Sequence, residues 1–306
     1  MGGTDSHLKG ISTMAKDLLE ARFFATYSYS SAVRNILHDR FAYLRDLEGF
    51  YCDDWFLEYT MPFRPHSAFH GFIAYVVETI ARHDFSDVDL AQCQRDLAAF
   101  ANVPAALEDL KPDLLSIEEA FAVHDIEYYP FRHMLAERRR TFASATQDDL
   151  DEYLEETWLG EAWERLLEQF TAEVFLILFQ NRSLLLLFND MMSDHVRSTC
   201  ISELDEPYRS RFREDGVLKR APIPKWVRRA VYFRDRGRCV LCRADLSGIL
   251  SLRSVEHFDH IVPLARGGLN DVSNLQLLCS KCNLKKRAGR AETSISYEPW
   301  YSISKA

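Results

Sequence analysis

Two pairs of closely spaced cysteines constrain the fold of this chain more than any other feature. The first pair is Cys239 and Cys242, the second is Cys279 and Cys282, and 36 residues separate the pairs. Each C-x-x-C turn directs two thiolates at one ion, so two turns together can complete the tetrahedral shell of a zinc ion. Four protein ligands leave no position open for a substrate. The cysteines therefore predict a structural Zn²⁺ that joins distant parts of the chain.

A zinc site is favoured over a disulfide framework because the sequence lacks signs of export. Met1–Gly10 contains no apolar core of about seven residues behind a basic start, as a secretory leader would. The most apolar stretch, Ala172–Met192, is interrupted by Gln180–Arg182, so it does not predict a membrane span. We therefore expect a cytoplasmic protein with no membrane partner.

Charge divides the chain into two parts of opposite sign. The whole chain has a net charge of −9, with 37 basic and 46 acidic residues. Residues 217–306 hold 17 of the basic and 7 of the acidic residues, a net charge of +10. Residues 1–216 hold the remaining 20 basic and 39 acidic residues, a net charge of −19. This asymmetry predicts a module that binds a polyanion, attached to an acidic domain.

The acidic part has the pattern of an all-helical domain. Thr146 and Asp149 have the spacing of an N-cap box, and apolar residues follow at helical intervals as far as Phe170. Val174–Phe179 and Leu184–Phe188 are apolar on all sides, which predicts either a central buried helix or a contact between copies of the chain. Further helices are predicted at Met14–Arg45, Ser67–Arg82, Leu90–Phe100 and Ser116–His124.

Prolines and glycines mark a boundary after the helical part. Pro207, Gly216, Pro222 and Pro224 cluster there, which is typical of a linker. We therefore predict an acidic all-helical domain at 1–206 with a regulatory or oligomerisation role, a linker at 207–224 and a basic domain at 225–306. Pro224 is expected to begin a short basic helix that extends to Arg236.

The segment between the cysteine pairs predicts a β-hairpin followed by a helix. Residues alternate around Phe258 as in a strand, Gly267-Gly268 is typical of a turn, and a basic helix is expected from about Ser280. Five motifs occur in order here: Arg-Asp-Arg-Gly-Arg-Cys-x-x-Cys, Phe-Asp-His-Ile-Val-Pro, Gly-Gly, Asn-Leu-x-x-Leu-Cys and Cys-Asn-x-x-Lys.

These motifs resemble an HNH endonuclease domain of the ββα-metal type, over roughly Lys225 to Arg290. The resemblance leaves the first two hundred residues untouched and implies a small C-terminal ββα-metal domain that the structural zinc stabilises. Together with the helical pattern of the acidic part, this predicts a mainly α chain with an N-terminal all-helical domain plus that small C-terminal domain. The resemblance also implies hydrolysis of DNA phosphodiester bonds. The sequence departs from the signature at its last position, where Asn283 replaces His. Asn is a known variant at that position, so we expect activity with an altered metal preference.

The residues of the hairpin and helix suit that chemistry. His260 titrates near neutrality and is predicted to be the general base that activates water. Asp259 and Asn283 offer hard oxygen ligands, which favour Mg²⁺ or Mn²⁺ as the catalytic ion. In the family the middle Asn, here Asn274, holds the loop so that the histidine keeps its orientation. His257 could lie on the active-site face or point to solvent.

Basic residues of the same segment are candidate phosphate contacts. They are Arg266, Lys285, Lys286 and Arg287. The alternative is that they only solubilise the end of the helix, and the charge of +10 favours phosphate contact. DNA is expected as the partner in preference to RNA, together with a homo-oligomer formed through the helical domain.

Three hypotheses of function remain distinct. The first is an active metal-dependent endonuclease, and the second is a zinc-stabilised nucleic-acid-binding module without catalysis. The third is a helical sensor whose nuclease is a regulated effector in bacterial defence or restriction. Asp259, His260 and Asn283 occur together, and a module that only binds would need none of them, so the sequence favours the first hypothesis.

Overall fold

The computed structural model describes residues 24–51, 55–99, 115–248, 256–287 and 289–296, and these are mainly helical, as predicted. The helices are α1 (24–38), α2 (Leu44–Tyr51), α3 (Trp55–Glu58), α4 (Ala68–Ser86), α5 (Leu90–Ala99), α6 (Ser116–Val123), α7 (Phe131–Glu137), α8 (Gln147–Trp158), α9 (Glu161–Leu178), α10 (Arg182–Ser198), α11 (Lys225–Arg234) and α12 (Ser280–Lys286). The strands are β1 (Phe212–Glu214), β2 (Val217–Leu218), β3 (Glu256–His260) and β4 (Leu275–Cys279). β1 pairs with β2 and β3 pairs with β4, both antiparallel.

The predicted helices correspond to α4, α5, α6 and α11 within a few residues at their ends. The predicted helix Met14–Arg45 is wrong in one respect, because residues 39–43 form a turn between α1 and α2. In that turn the Ala42 amide donates to the Asp39 carbonyl over 3.0 Å. The predicted start at Met14 lies outside the described residues.

Among the described residues, one compact unit consists of 24–31, 74–99 and 115–174. Helix α8 begins as predicted: Thr146 Oγ1 accepts a hydrogen bond from the Asp149 amide, and the Asp149 carboxylate accepts one from the Thr146 amide. The buried carboxylate of Glu118 accepts hydrogen bonds from the amides of Leu115 and Phe131. The largest fully buried side chains of this unit are Phe121, Phe131, Tyr153, Trp163 and Phe170.

The second compact unit consists, among the described residues, of 32–51, 55–73, 175–248, 256–287 and 289–296. Two segments of the predicted helical domain, 32–73 and 175–206, thus pack in the same unit as the zinc and hairpin segment. The predicted linker forms the β1–β2 hairpin inside this unit. The division into domains at 206 and 225 stays a prediction, but the basic segment packs together with helical residues far from it in sequence.

Asp235 lies at the centre of the contacts that hold this second unit together. Its buried carboxylate accepts hydrogen bonds from Arg234 Nε at 2.9 Å and from the Leu277 amide at 2.9 Å. Arg182, at the start of α10, lies 3.3 Å from the same carboxylate. The Arg182 guanidinium also donates to the carbonyls of Ser294 and Ser296. One buried acid therefore joins α10, the end of α11 and strand β4.

A second set of bonds connects the start of α4 to the loop before β4. Asp271 is buried, and its carboxylate accepts hydrogen bonds from the Ala68 amide at 2.9 Å and from Ser273 Oγ at 2.7 Å. Beside it, the Asn270 carbonyl accepts from the Phe63 amide at 2.8 Å. Asp271 thus supplies a partner for an amide at the N-terminus of α4 that has none within the helix.

The apolar stretch 174–188 lies mostly in the core. Its residues Leu178, Phe179, Leu184, Leu185 and Phe188 are buried, whereas Leu176 and Ile177 are exposed. Among the described helices, none is by itself long and apolar enough to cross a membrane, although α9 and α10 meet that standard as a bent pair. Oligomerisation through this region stays a prediction.

We predict that Arg182→Met destabilises the second unit by about 3–5 kcal/mol, because it leaves the buried Asp235 charge without one of its partners. Urea denaturation, followed by circular dichroism, measures the change in the free energy of unfolding. Arg165→Met is the matched control, since Arg165 lies at the surface and pairs with Glu161 over 3.5 Å. The control should stay within about 0.5 kcal/mol of the wild type. Equal midpoints for the two variants would contradict the role of Arg182.

Candidate functional site

The four predicted zinc ligands converge in space. The sulfur atoms of Cys239, Cys242, Cys279 and Cys282 all lie within 4.8 Å of one another. The Sγ atoms of Cys242 and Cys279 are 3.6 Å apart. A tetrahedral shell with Zn–S bonds of about 2.3 Å has sulfur–sulfur separations of about 3.8 Å. The cluster therefore has the size and the donor set of a four-cysteine zinc site.

The electrostatics of the cluster also suit a bound cation. Burial and the three neighbouring thiols raise the pKa of Cys282. Four thiolates this close repel one another, so the fully ionised cluster is stable only around a metal ion. Because all four positions of the shell would be filled by protein, this ion would support the fold and would not contact a substrate.

The hairpin β3–β4 connects the cysteine cluster to the predicted catalytic residues of β3. Glu256 pairs with Cys279 at one end of the ladder, and His260 pairs with Leu275 at the other. Strand β3 therefore runs from the zinc cluster to its last residue, His260. Alternation along a strand places Asp259 on one face of the hairpin and His260 on the other.

The His260 ring is buried, with 2% of the residue exposed. Neither ring nitrogen has a hydrogen-bond partner among the described residues. Burial, together with the positive charges of Arg220 and Lys286, lowers the pKa of His260 to about 3, while the nearby Asn270 amide opposes the shift. His260 is therefore neutral at physiological pH, but a pKa this low makes it a weak base, unlike the near-neutral titration that the sequence predicted.

Asp259 makes contacts that the sequence did not predict. Its carboxylate lies 2.9 Å from Lys286 Nζ and accepts a hydrogen bond from Gln276 Nε2 at 3.2 Å. Lys286 also donates to the His260 carbonyl over 2.7 Å, and its side chain is fully buried. Lys286 was predicted to contact phosphate. The structure instead places it in a buried ion pair with Asp259. Its position as the last residue of the Cys-Asn-x-x-Lys motif was the only sign of this role.

Helix α12 brings Asn283 to the same side of the hairpin. Asn283 and Lys286 are three residues apart in α12, so their side chains occupy the same face of the helix. Lys286 contacts Asp259, and α12 packs against β3. Asn283 therefore lies one turn before the residue that contacts Asp259, and it is half-buried. The Asp259 carboxylate and the Asn283 amide offer oxygen donors of the kind that Mg²⁺ or Mn²⁺ prefers, and in this arrangement the carboxylate is paired with the Lys286 ammonium.

Asn274 connects the two ends of the loop that follows His260. Its amide donates to the carbonyls of Val262 at 3.0 Å and Leu269 at 2.9 Å, and its side-chain oxygen accepts from the Val262 amide at 2.8 Å. Gly268 is required in the same loop, because a Cβ atom there would lie 1.9 Å from the Val262 carbonyl oxygen. These contacts are the ones expected of a residue that fixes the backbone beside His260.

Three of the four predicted phosphate contacts lie at the surface. Arg266, Lys285 and Arg287 are exposed, and Arg266 donates to the Gly289 carbonyl over 3.0 Å. They remain candidates for phosphate contact, whereas Lys286 does not.

A strap formed by residues 219–221 lies over the His260 side of the hairpin. The Asn270 side chain donates to the Lys219 carbonyl over 2.8 Å and accepts from the Ala221 amide at 3.4 Å. Arg220, between them, is exposed and is close enough to lower the pKa of His260. The sequence did not identify Arg220 or Asn270, because the strap lies in the predicted linker and no motif relates it to His260.

The geometry of the hairpin, the helix and the cysteine cluster agrees with a comparison with known families. Residues 239–289 match the HNH endonuclease family. This match confirms the resemblance over the C-terminal region, and it spans the cysteine pairs, β3, β4 and α12. No curated protein and no solved structure matches the chain.

We predict that the purified HNH-containing chain holds about one tightly bound zinc ion, as a shell of four protein ligands implies. A strong chelator should remove this zinc and lower the melting temperature, because metal binding and folding are coupled in such sites. Cys282→Ser should lose most of the zinc. Cys200→Ser is the matched control, since Cys200 lies outside the cluster, and it should retain the metal. A folded wild-type chain free of zinc would contradict the assignment.

Proposed function

We propose that this protein is a metal-dependent HNH endonuclease that hydrolyses DNA phosphodiester bonds. The observation that carries the proposal is that the segment matching the HNH endonuclease family holds Asp259 and His260 at the end of β3, and Asn283 on α12, which packs against β3. The net charge of +10 over residues 217–306 supports a polyanionic substrate. The free thiols of the cysteine cluster fit a reducing compartment such as the cytoplasm.

Each residue has a part in the proposed chemistry. His260 would accept the proton of the attacking water. Asp259 and Asn283 would hold one divalent ion, which when bound supplies positive charge to the scissile phosphate and to the leaving 3′ oxygen. Asn274 would hold the backbone of the loop that follows His260 in place. When no metal ion is bound, Lys286 would orient the Asp259 carboxylate. The proposal requires that the strap at 219–221 moves when DNA binds, because a buried imidazole cannot reach a water molecule beside a phosphate.

A zinc-stabilised DNA-binding module without catalysis is the second candidate. The burial of His260 and the ion pair between Asp259 and Lys286 favour it, since both groups already have environments that exclude substrate. The two candidates differ in one outcome, because only the nuclease would convert DNA to products when Mg²⁺ is added.

A regulatory role for the helical residues accompanies the nuclease proposal. A nuclease that acted without restraint would damage its own cell, which is why an effector in defence or restriction would need a controlling part. The −19 charge of residues 1–216 would repel DNA and is suited to restraint or assembly rather than to reading a target sequence.

We predict that His260→Ala lowers the rate of plasmid cleavage in Mg²⁺ by about 10²–10⁴-fold, the usual effect of losing a positioned general base. His83→Ala is the matched control, because the side chain of His83 is 81% exposed in the other compact unit, and it should cleave at the wild-type rate. Thermal unfolding and DNA binding of His260→Ala should be measured alongside to verify that the variant is folded. A folded His260→Ala variant with undiminished cleavage would exclude His260 as the base.

Replacement of Asn283 should change how the enzyme uses metal ions. We predict that Asn283→Ala raises the Mg²⁺ concentration for half-maximal cleavage by about tenfold or more, because one oxygen ligand is lost. Asn283→His should retain cleavage and shift the preference towards Mn²⁺, since imidazole suits transition metals better than Mg²⁺. Asn35→Ala, at an exposed position of α1, is the control. Identical metal titrations for all three variants would show that Asn283 is not a ligand.

A further inference from the structure

A groove of ≈ 380 Å³ lies between helix α11 and strand β3. Its lining residues are Arg228, Arg229, Tyr232, Phe233, Leu246, Ser247 and Phe258. Arginines and aromatic rings form most of this surface, and none of its described lining residues is acidic. The groove thus combines positive charge with flat apolar faces.

The sequence of α11 explains why these side chains face outward. Val227, Val231 and Arg234 are buried and hold the helix against the rest of the unit. The opposite face carries Trp226, Arg229 and Phe233 at intervals of three and four residues, which form one stripe along the helix. Phe233 is 74% exposed and Trp226 is 39% exposed.

The groove lies on the same face of the hairpin as His260. Phe258 and His260 are two residues apart in β3, so their side chains project to that face. Their Cα atoms are therefore roughly 6.6 Å apart, at about 3.3 Å per residue of strand. A nucleic acid strand that reaches His260 after the strap at 219–221 has moved can continue into the groove.

We propose that the groove between α11 and β3 binds unpaired nucleotides of DNA, with Phe233 as a platform on which a base stacks and Arg228 and Arg229 as phosphate contacts. This inference rests on the proposed nuclease function and specifies its substrate class. Bases of a single strand expose their flat faces, and aromatic side chains bind these faces whatever the sequence. Bases inside a duplex are covered by their neighbours, so a duplex offers the groove only its phosphates.

The charge of the groove distinguishes this occupant from an apolar protein partner. α11 contains Lys225, Arg228, Arg229 and Arg234 and no acidic residue, and the acid that follows it, Asp235, is buried in ion pairs. An apolar partner would have to desolvate Arg228 and Arg229 without supplying a charge in return, which is unfavourable. A DNA strand supplies both a negative backbone and stacking surfaces.

The test measures binding of a short fluorescein-labelled oligonucleotide, as a single strand and as a blunt duplex, by fluorescence anisotropy in buffer without Mg²⁺ or Mn²⁺. Phe233→Ala should weaken binding of the single strand by about 5- to 150-fold, the effect of losing one stacked base. It should change binding of the duplex by less than about twofold. Phe233→Trp should retain the wild-type affinity for the single strand, because it keeps an aromatic face.

Phe24→Ala is the matched control, because Phe24 is 77% exposed and belongs to the other compact unit. It should bind both oligonucleotides as the wild type does. Arg229→Ala should instead weaken binding of both forms and reduce the salt dependence, as loss of one phosphate contact requires. In single strands that contain 2-aminopurine, the wild type should quench the fluorescence of the stacked base and Phe233→Ala should not.

Two results would overturn the proposal. The first is an equal loss of affinity for the single strand and the duplex in Phe233→Ala, and the second is an unchanged affinity for the single strand. Because the assay contains no catalytic ion, its outcome does not depend on cleavage. A chain that cleaves DNA but shows either result retains the proposed function and loses the stacking site.

Discussion

The buried carboxylate of Asp235 is the contact on which the unit that contains the HNH segment depends. It binds Arg234 and the amide of Leu277, and it pairs with Arg182 from a helix some fifty residues earlier in the chain. A buried acid is stable only while these partners neutralise and hydrogen-bond it. Strand β4, helix α11 and helix α10 are therefore fixed relative to one another within this unit. The HNH segment thus depends on residues well outside its own motifs.

Two different metal ions would have separate roles in this unit. The four-cysteine cluster suits a zinc ion that closes the hairpin at one end, and Asp259 with Asn283 suits a hard divalent ion at the other. Lys286 contacts Asp259 from the helix that carries Asn283, which gives the acid a positive partner of its own. The strap at 219–221 covers His260, so the centre described here is closed. DNA binding would therefore have to be coupled to movement of the strap.

The sequence predicted the parts of this arrangement that are local. Spacing alone identified the cysteine pairs, and ordered motifs identified the hairpin and its Asp259, His260 and Asn283. It could not predict that the segment at 207–224 packs against the hairpin, because prolines and glycines mark turns and carry no information about long-range packing. Lys286 was misassigned for a related reason, since a basic residue in a basic run gives no sign that it is buried. Helical periodicity showed which residues of α10 are buried, but it did not show which other residues they pack against.

The central claim is that the centre around Asp259 and His260 hydrolyses DNA once the strap at 219–221 has moved away from His260. The most direct measurement is the analysis of DNA ends after the full, zinc-loaded chain is incubated with end-labelled DNA and Mg²⁺. The account predicts metal-dependent fragments with 5′-phosphate and 3′-hydroxyl ends, because the 3′ oxygen is the leaving group. DNA that is bound by the folded chain and yet remains intact with both Mg²⁺ and Mn²⁺ would contradict it.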